Sequence, residues 1–126
     1  MLALLHDPDA PHGLRLGETA EPEAGPGQVL VEVRAVSLNF GEVAFVDRRA
    51  PGDVPGWDAA GIDVATGARV ISFGWGGGWA QRRVADAANV AQLPDDVSFE
   101  EAAALPVAGV TAPCAGSAPW WAVASW

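Results

Sequence analysis

Fifteen glycines and ten prolines divide this chain of 126 residues into short segments. Turn signals stand at Gly25-Pro26-Gly27, Pro51-Gly52, Pro55-Gly56 and Pro94-Asp95-Asp96, where each residue type favours a chain reversal. Between them lie runs with the apolar or alternating pattern of strands: Leu2–Leu5, Leu14–Thr19, Val29–Val36, Ala60–Ala65, Arg69–Phe73, Trp79–Ala85 and Asn89–Leu93. In the third run, Val29, Val31, Val33 and Ala35 share one face. The period changes at Ser98-Phe-Glu-Glu101. There a hydroxyl and a carboxylate three residues apart satisfy each other's backbone N–H groups, as in a capping box. Glu100 and Glu101 sit at the positive end of the helix dipole. A short helix follows through Ala102–Leu105, and Pro106 is expected to interrupt it. Short strands at short intervals predict a mainly β fold, a small barrel or sandwich.

The length corresponds to one domain. Half the residues are hydrophobic and 18% are charged, a globular composition. All seven basic residues are Arg, and the net charge is −9. That balance argues against nucleic acid and against an anionic membrane surface as partners. The N-terminus has no basic segment before its apolar run and does not read as a secretory signal. The uncharged stretch from Ala102 to Trp126 carries Pro106, Pro113 and Pro119 and many small residues, so a membrane span is not expected. A cytoplasmic protein is.

Four features invite a chemical reading. Gly74-Trp-Gly-Gly-Gly78 superficially suggests a phosphate loop, but a strand-like run follows it where a dinucleotide fingerprint needs a helix. A glycine-rich hairpin or barrel corner is the expectation. His6 and His12 are the only histidines, too few for a zinc site, and both are expected at the surface. Cys114 is a lone thiol with no nearby cation to activate it. Arg48-Arg49 and Arg82-Arg83 are read as solvated edges, with phosphate contact as the sharper alternative.

The run Gly25-Pro-Gly-Gln-Val-Leu-Val-Glu-Val-Arg-Ala-Val-Ser-Leu-Asn39-Phe40-Gly-Glu-Val43 resembles the start of medium-chain dehydrogenases/reductases, most closely the NADPH:quinone oxidoreductase-like branch. Pro55-Gly-Trp57-Asp58-Ala-Ala-Gly61, Gly78-Trp-Ala-Gln81 and Leu93–Ala112 are similar to later segments of that family. The resemblance covers residues 1–112. It implies a GroES-like, partly open β-barrel with one or two short helices, which in the family is the substrate-side domain. There a Rossmann domain follows and holds the dinucleotide, and hydride passes from NADPH to a quinone or enone.

The resemblance also implies site residues. Asn39 would orient substrate or nicotinamide, Phe40 and Trp57 would line the apolar side of the cleft, and Thr111 would meet the nicotinamide end of the cofactor. Zinc-dependent relatives carry Cys and His where this chain has Asn39 and Trp57. Neither is a zinc ligand, so zinc-independent chemistry is expected, with water protonating the reduced quinone. The connection from Asp63 to Ala68 is shorter than is usual in the family, a loss a surface turn tolerates.

The resemblance stops at Ala112. Residues 113–126 place three of the six tryptophans in the last seven positions and show no period. Trp has a single codon, so Trp120-Trp121-Ala122 read from the last base of the Pro119 codon encodes Val and Gly after one open position. Residues 113–126 are therefore expected to be an out-of-frame tail, with the Rossmann domain missing. Two functions follow as expectations: an oxidoreductase fragment inactive alone, or a stand-alone GroES-like binding or interaction module. An exposed barrel face could support a homodimer or other self-association. Sequencing the gene beyond codon 112 checks the tail: the alternative frame is expected to encode a strand and a G-x-G-x-x-G turn. An early stop without that turn refutes the frame change.

Overall fold

The structure is a computed structural model that describes residues 1–116, with side chains described through Ala112. Seven strands form in order: β1 (Leu2–His6), β2 (Leu14–Glu18), β3 (Gln28–Val36), β4 (Asp58–Asp63), β5 (Arg69–Phe73), β6 (Arg82–Asp86) and β7 (Val90–Gln92). Three α-helices accompany them: α1 (Phe40–Ala44), α2 (Phe99–Ala103) and α3 (Pro106–Gly116). All strand pairs among the described residues are antiparallel, with order β6-β3-β4-β5-β7 in one sheet and β1-β2 in a second. A bridge between Ala3 and Ala80 joins the hairpin to the segment entering β6. This is the mainly β, curled and partly open barrel that the sequence pattern and the resemblance both predict.

Each element has a local cause. The β4–β5 hairpin turns on Asp63. Its carboxylate accepts from the Ala65 N–H at 2.9 Å and the Thr66 hydroxyl at 2.6 Å. Those bonds, Thr66 first, hold the Asp63 carboxyl below its ordinary range. Gly67 takes the left-handed conformation this tight turn needs (φ 73°). In β3 the pairing register with β4 shifts between Val33 and Ala35. Such a bulge bends a strand and redirects the chain beyond it, here Ser37 to Asn39.

Helix α2 closes the core. Its capping box forms as expected, with Ser98 Oγ accepting from Glu101 N–H at 3.2 Å and Glu101 accepting from Ser98 N–H at 3.1 Å. Ala102 and Ala103 then pack against Ala60 and Leu93, flanked by Ala35, Ile71, Val97 and Phe99. Arg69 pins the loop before the helix, donating to the Pro94 carbonyl at 2.8 Å and to the Val97 carbonyl, with its guanidinium over the Phe99 ring.

Several expectations need correction. His6 is buried rather than at the surface: its Nδ1 lies 3.2 Å from the Ala50 carbonyl oxygen, and its backbone pairs with Gly52 and Asp53. The short helix does end before Pro106, at Ala103, as expected; what the sequence did not predict is that Pro106 opens a second helix, α3, where the first position needs no N–H donor. The backbone stays helical past Pro113 to Gly116; a proline removes one donor and can bend a helix without ending it. The proposed out-of-frame tail lies mostly outside the described residues, as does the Cys114 side chain.

The glycine-rich segment is a corner, as expected. Gly77 and Gly78 donate to the Val54 and Gly56 carbonyls at 2.7 and 3.0 Å, and Trp79 donates to the Pro55 carbonyl at 2.9 Å. The Gly74, Gly77, Gly78 and Trp79 amides are thus engaged by protein carbonyls. A Cβ on Gly78 would lie 2.8 Å from the Gly56 carbonyl oxygen, and one on Gly56 would strike the Trp79 backbone. Gly56 also has φ 102°. Gly56→Ala is therefore expected to cost about 3 kcal/mol, since strain and collision add. Gly27→Ala, at φ 77° with no atom near its Cβ, should cost only about 1 kcal/mol. Urea unfolding of the two variants checks the difference; equal losses would refute it.

Candidate functional site

Three ionisable side chains are buried at one end of the barrel. Glu42 and Arg83 are 1% exposed and Asp58 is fully buried. Buried charges require partners, and here most partners are backbone groups of different elements. The Glu42 carboxylate accepts from the Asn39 N–H at 2.5 Å and from the Trp57 N–H. Arg83 donates to the carbonyls of Trp57 at 2.8 Å and Gly76 at 3.1 Å. Asp58 Oδ2 accepts from Ser37 Oγ at 3.0 Å, Asn39 Nδ2 at 3.1 Å and the Val107 N–H of α3 at 3.3 Å. Burial lowers the Arg83 guanidinium from its ordinary value, and the carboxylates of Asp58 and Glu42 oppose that shift. Two buried atoms of the cluster, Asp58 Oδ1 and Arg83 Nε, have no partner.

Two of the four expected site residues, Asn39 and Trp57, bond to this cluster. Asn39 caps α1 and closes a capping box with Glu42. Its amide nitrogen faces Asp58, the orientation a carboxylate acceptor imposes. Trp57 immediately precedes Asp58, and its indole packs against Gly41, where a Cβ would collide with the ring. Phe40 stands between Asn39 and Gly41 and is 85% exposed. Thr111 is exposed on α3, one turn beyond Val107, and reaches the cluster only through that helix. No hydrogen bond among the described residues links Thr111 to Asn39.

The builders of the site were not singled out by the sequence reading. Arg83 is the clearest correction: expected at a solvated edge, it is buried. The signal lay in β6, where Arg83 and Ala85 alternate on the inward face. Glu42 stands three residues after Asn39, the spacing of a capping box. The other basic residues do lie near solvent. Arg82 pairs with Glu21 at 2.6 Å, Arg48 covers the Phe45 ring, and Arg49 donates to the Trp75 carbonyl at 3.3 Å.

Two apolar features adjoin the cluster. Trp75 meets Trp57 and Phe73 edge to face, with ring centroids 5.1 Å apart in both pairs. A groove of about 740 Å³ runs between the β1–β2 hairpin and α1, with Leu4, Leu16, Val36, Val43 and Trp79 in its walls.

Asn39 and Trp57 do not fit zinc, and the start of α3 does not fit a dinucleotide's phosphates. Asn39 and Trp57 supply no zinc ligand, and no group of three metal-ligating side chains occurs among the described residues. A helix N-terminus with free N–H groups is a favourable place for a pyrophosphate. At α3, Pro106 has none and Val107 donates to a carboxylate, which repels an anion. No described helix is long and apolar enough to cross a membrane.

Removing Arg83 leaves the Trp57 and Gly76 carbonyls without their donor and takes a positive charge from beside two buried carboxylates. Arg83→Leu is expected to cost roughly 3–5 kcal/mol, against about 0.5 kcal/mol or less for the exposed Arg34→Leu. Chemical denaturation measures both; an Arg83 loss no larger than that at Arg34 overturns the reading.

No protein-family model matches the chain. Curated relatives do. The rat synaptic vesicle membrane protein VAT-1 homolog is 38% identical over 105 residues, covering 72% of this chain and 26% of the relative. A trans-enoyl reductase of Aspergillus terreus is 35% identical over 137 residues, covering 87% and 44%. The chain thus spans about a quarter to under half the length of these relatives. Among solved structures, human VAT-1 homolog-like protein superposes with a TM-score of 0.83 at 31% identity, over 90% of this chain and 41% of that one. The quinone oxidoreductase of Thermus thermophilus, also solved in complex with NADPH, gives 0.81 at 34% identity, over 91% and 40%. With the antiparallel barrel and the ordered motifs from Gly25 to Ala112, these likenesses show that the chain belongs to the medium-chain dehydrogenase/reductase superfamily, among its quinone oxidoreductase-like members, and carries that superfamily's GroES-like fold.

Proposed function

We propose that residues 1–112 form the acceptor-binding half of an NAD(P)H-dependent quinone or enone reductase, and that this chain alone is inactive. The observation that carries the reading is the Asn39 amide, fixed by Asp58 beside an aromatic wall. An amide nitrogen has two N–H donors. One is given to Asp58 at 3.1 Å, and the second is assigned to the carbonyl oxygen of the acceptor. Phe40 and Trp57 exclude water from the acceptor's apolar part. Thr111 adds a hydroxyl on α3, which the family resemblance assigns to the nicotinamide end. NADPH supplies the hydride in this family. The start of α3 does not fit its phosphates, so weak NADPH binding is expected here, with no role for zinc and a location in the cytoplasm.

A second reading, a stand-alone GroES-like binding module, is favoured by the apolar groove. Leu2, Leu4, Leu16 and Val36 are exposed beside or within it, and such patches commonly mark interaction surfaces. Self-association through this face, including a homodimer, belongs to that reading.

One set of titrations on the purified chain separates the two. The first reading expects 1,4-naphthoquinone to bind by calorimetry. Asn39→Ala should weaken it about fivefold, the worth of one hydrogen bond. NADPH oxidation should be absent. Turnover by the chain alone overturns its inactivity. Quinone binding indifferent to Asn39, with concentration-dependent sedimentation, selects the module instead.

A further inference from the structure

We propose that Trp75 is a specificity-determining residue, whose indole selects a planar aromatic acceptor over an open-chain one. The inference rests on the acceptor-binding reading above and deepens it. A large apolar side chain exposed singly needs no explanation. Trp75 differs in how it is held. It is 72% exposed, yet two aromatic rings grip it edge to face, Trp57 at an interplanar angle of 81° and Phe73 at 77°. Its carbonyl is held by Arg49 at 3.3 Å.

The loop beneath it is equally fixed. Gly74 donates to the Trp57 carbonyl at 2.9 Å, Gly77 to Val54 at 2.7 Å, and the Gly76 carbonyl receives Arg83 at 3.1 Å. Every residue flanking Trp75 is thus tied to the 54–57 segment or to the buried guanidinium. An indole with a pinned backbone and two ring contacts loses little freedom when a ligand stacks on it.

The ring is also in the right place. Trp57 joins it to Gly41 of α1 on one side and to Asp58, the partner of Asn39, on the other. On this proposal an acceptor with its carbonyl at Asn39, the residue two before Gly41, lays its ring on the aromatic surface that runs from Trp57 to Trp75. Ring stacking rewards a flat π system and adds little for a flexible chain. The net charge of −9 favours an uncharged acceptor over an anionic one.

The test uses the whole chain with two uncharged ten-carbon probes, 1,4-naphthoquinone and the open-chain 3-decen-2-one, titrated by calorimetry. Trp75→Ala is expected to weaken naphthoquinone about fivefold, the range for one lost stacking partner, and to leave decenone unchanged. Trp75→Phe should keep naphthoquinone within about twofold, since a ring remains. Circular dichroism confirms that both variants fold. Equal loss for both probes, no loss for naphthoquinone, or no naphthoquinone binding at all overturns the proposal. Decenone binding that depends on Asn39, beside naphthoquinone binding indifferent to Trp75, defeats this inference alone. Naphthoquinone binding that depends on Trp75 and not on Asn39 defeats instead the role given to the amide.

Discussion

The site depends on the burial of Glu42, Asp58 and Arg83. A charge removed from water is tolerated only when its environment replaces the lost solvation. Here the replacement comes from backbone groups at distant positions. The guanidinium joins Trp57 to Gly76; Glu42 joins Asn39 to Trp57; Asp58 joins the end of β3, the N-cap of α1 and the start of α3. Four connecting segments are tied together by satisfying three side chains. The apolar core under α2 holds the sheet; the ionic cluster holds the loops and helix ends around the site.

That arrangement requires close backbone approach, which explains where the glycines matter. Arg83 reaches both Trp57 and Gly76 only because the 54–57 segment and the 74–79 loop lie against each other. Gly56 and Gly78 meet there without room for a Cβ. Gly41 makes the same allowance for the Trp57 indole. The glycine-rich text that superficially suggested a phosphate loop is thus a packing device.

The sheet was legible because its signals are local. Alternation and turn residues mark all seven strands, and the Arg69–Phe73 boundaries match those read from the pattern. The capping box at Ser98 is legible for the same reason. Three things were not. Helix α1 has only five residues, too few for a period, and is held by Asp58 and Trp57 from elsewhere in the chain. Arg83 looks like a surface residue by type; its burial is decided by two carboxylates 25 and 41 positions upstream in the numbering. His6 is covered by the 50–53 segment, a long-range contact. Asn39, Phe40 and Trp57 came from the family resemblance, and the structure bonds Asn39 and Trp57 to a cluster that the motifs alone do not reveal.

The same cluster limits the chemistry of this fold unit. Because Asp58 occupies the first available amide of α3 and carries a negative charge, the helix end disfavours an anion. Gly77, Gly78 and Trp79 of the glycine loop likewise donate to the 54–56 carbonyls. A polar amide set in aromatic surroundings stays open, with Phe40 and Trp75 facing solvent. Such a surface suits a neutral, conjugated molecule with one hydrogen-bond acceptor. On the proposed reading, the carboxylate that orders the site also disfavours a phosphate at the start of α3.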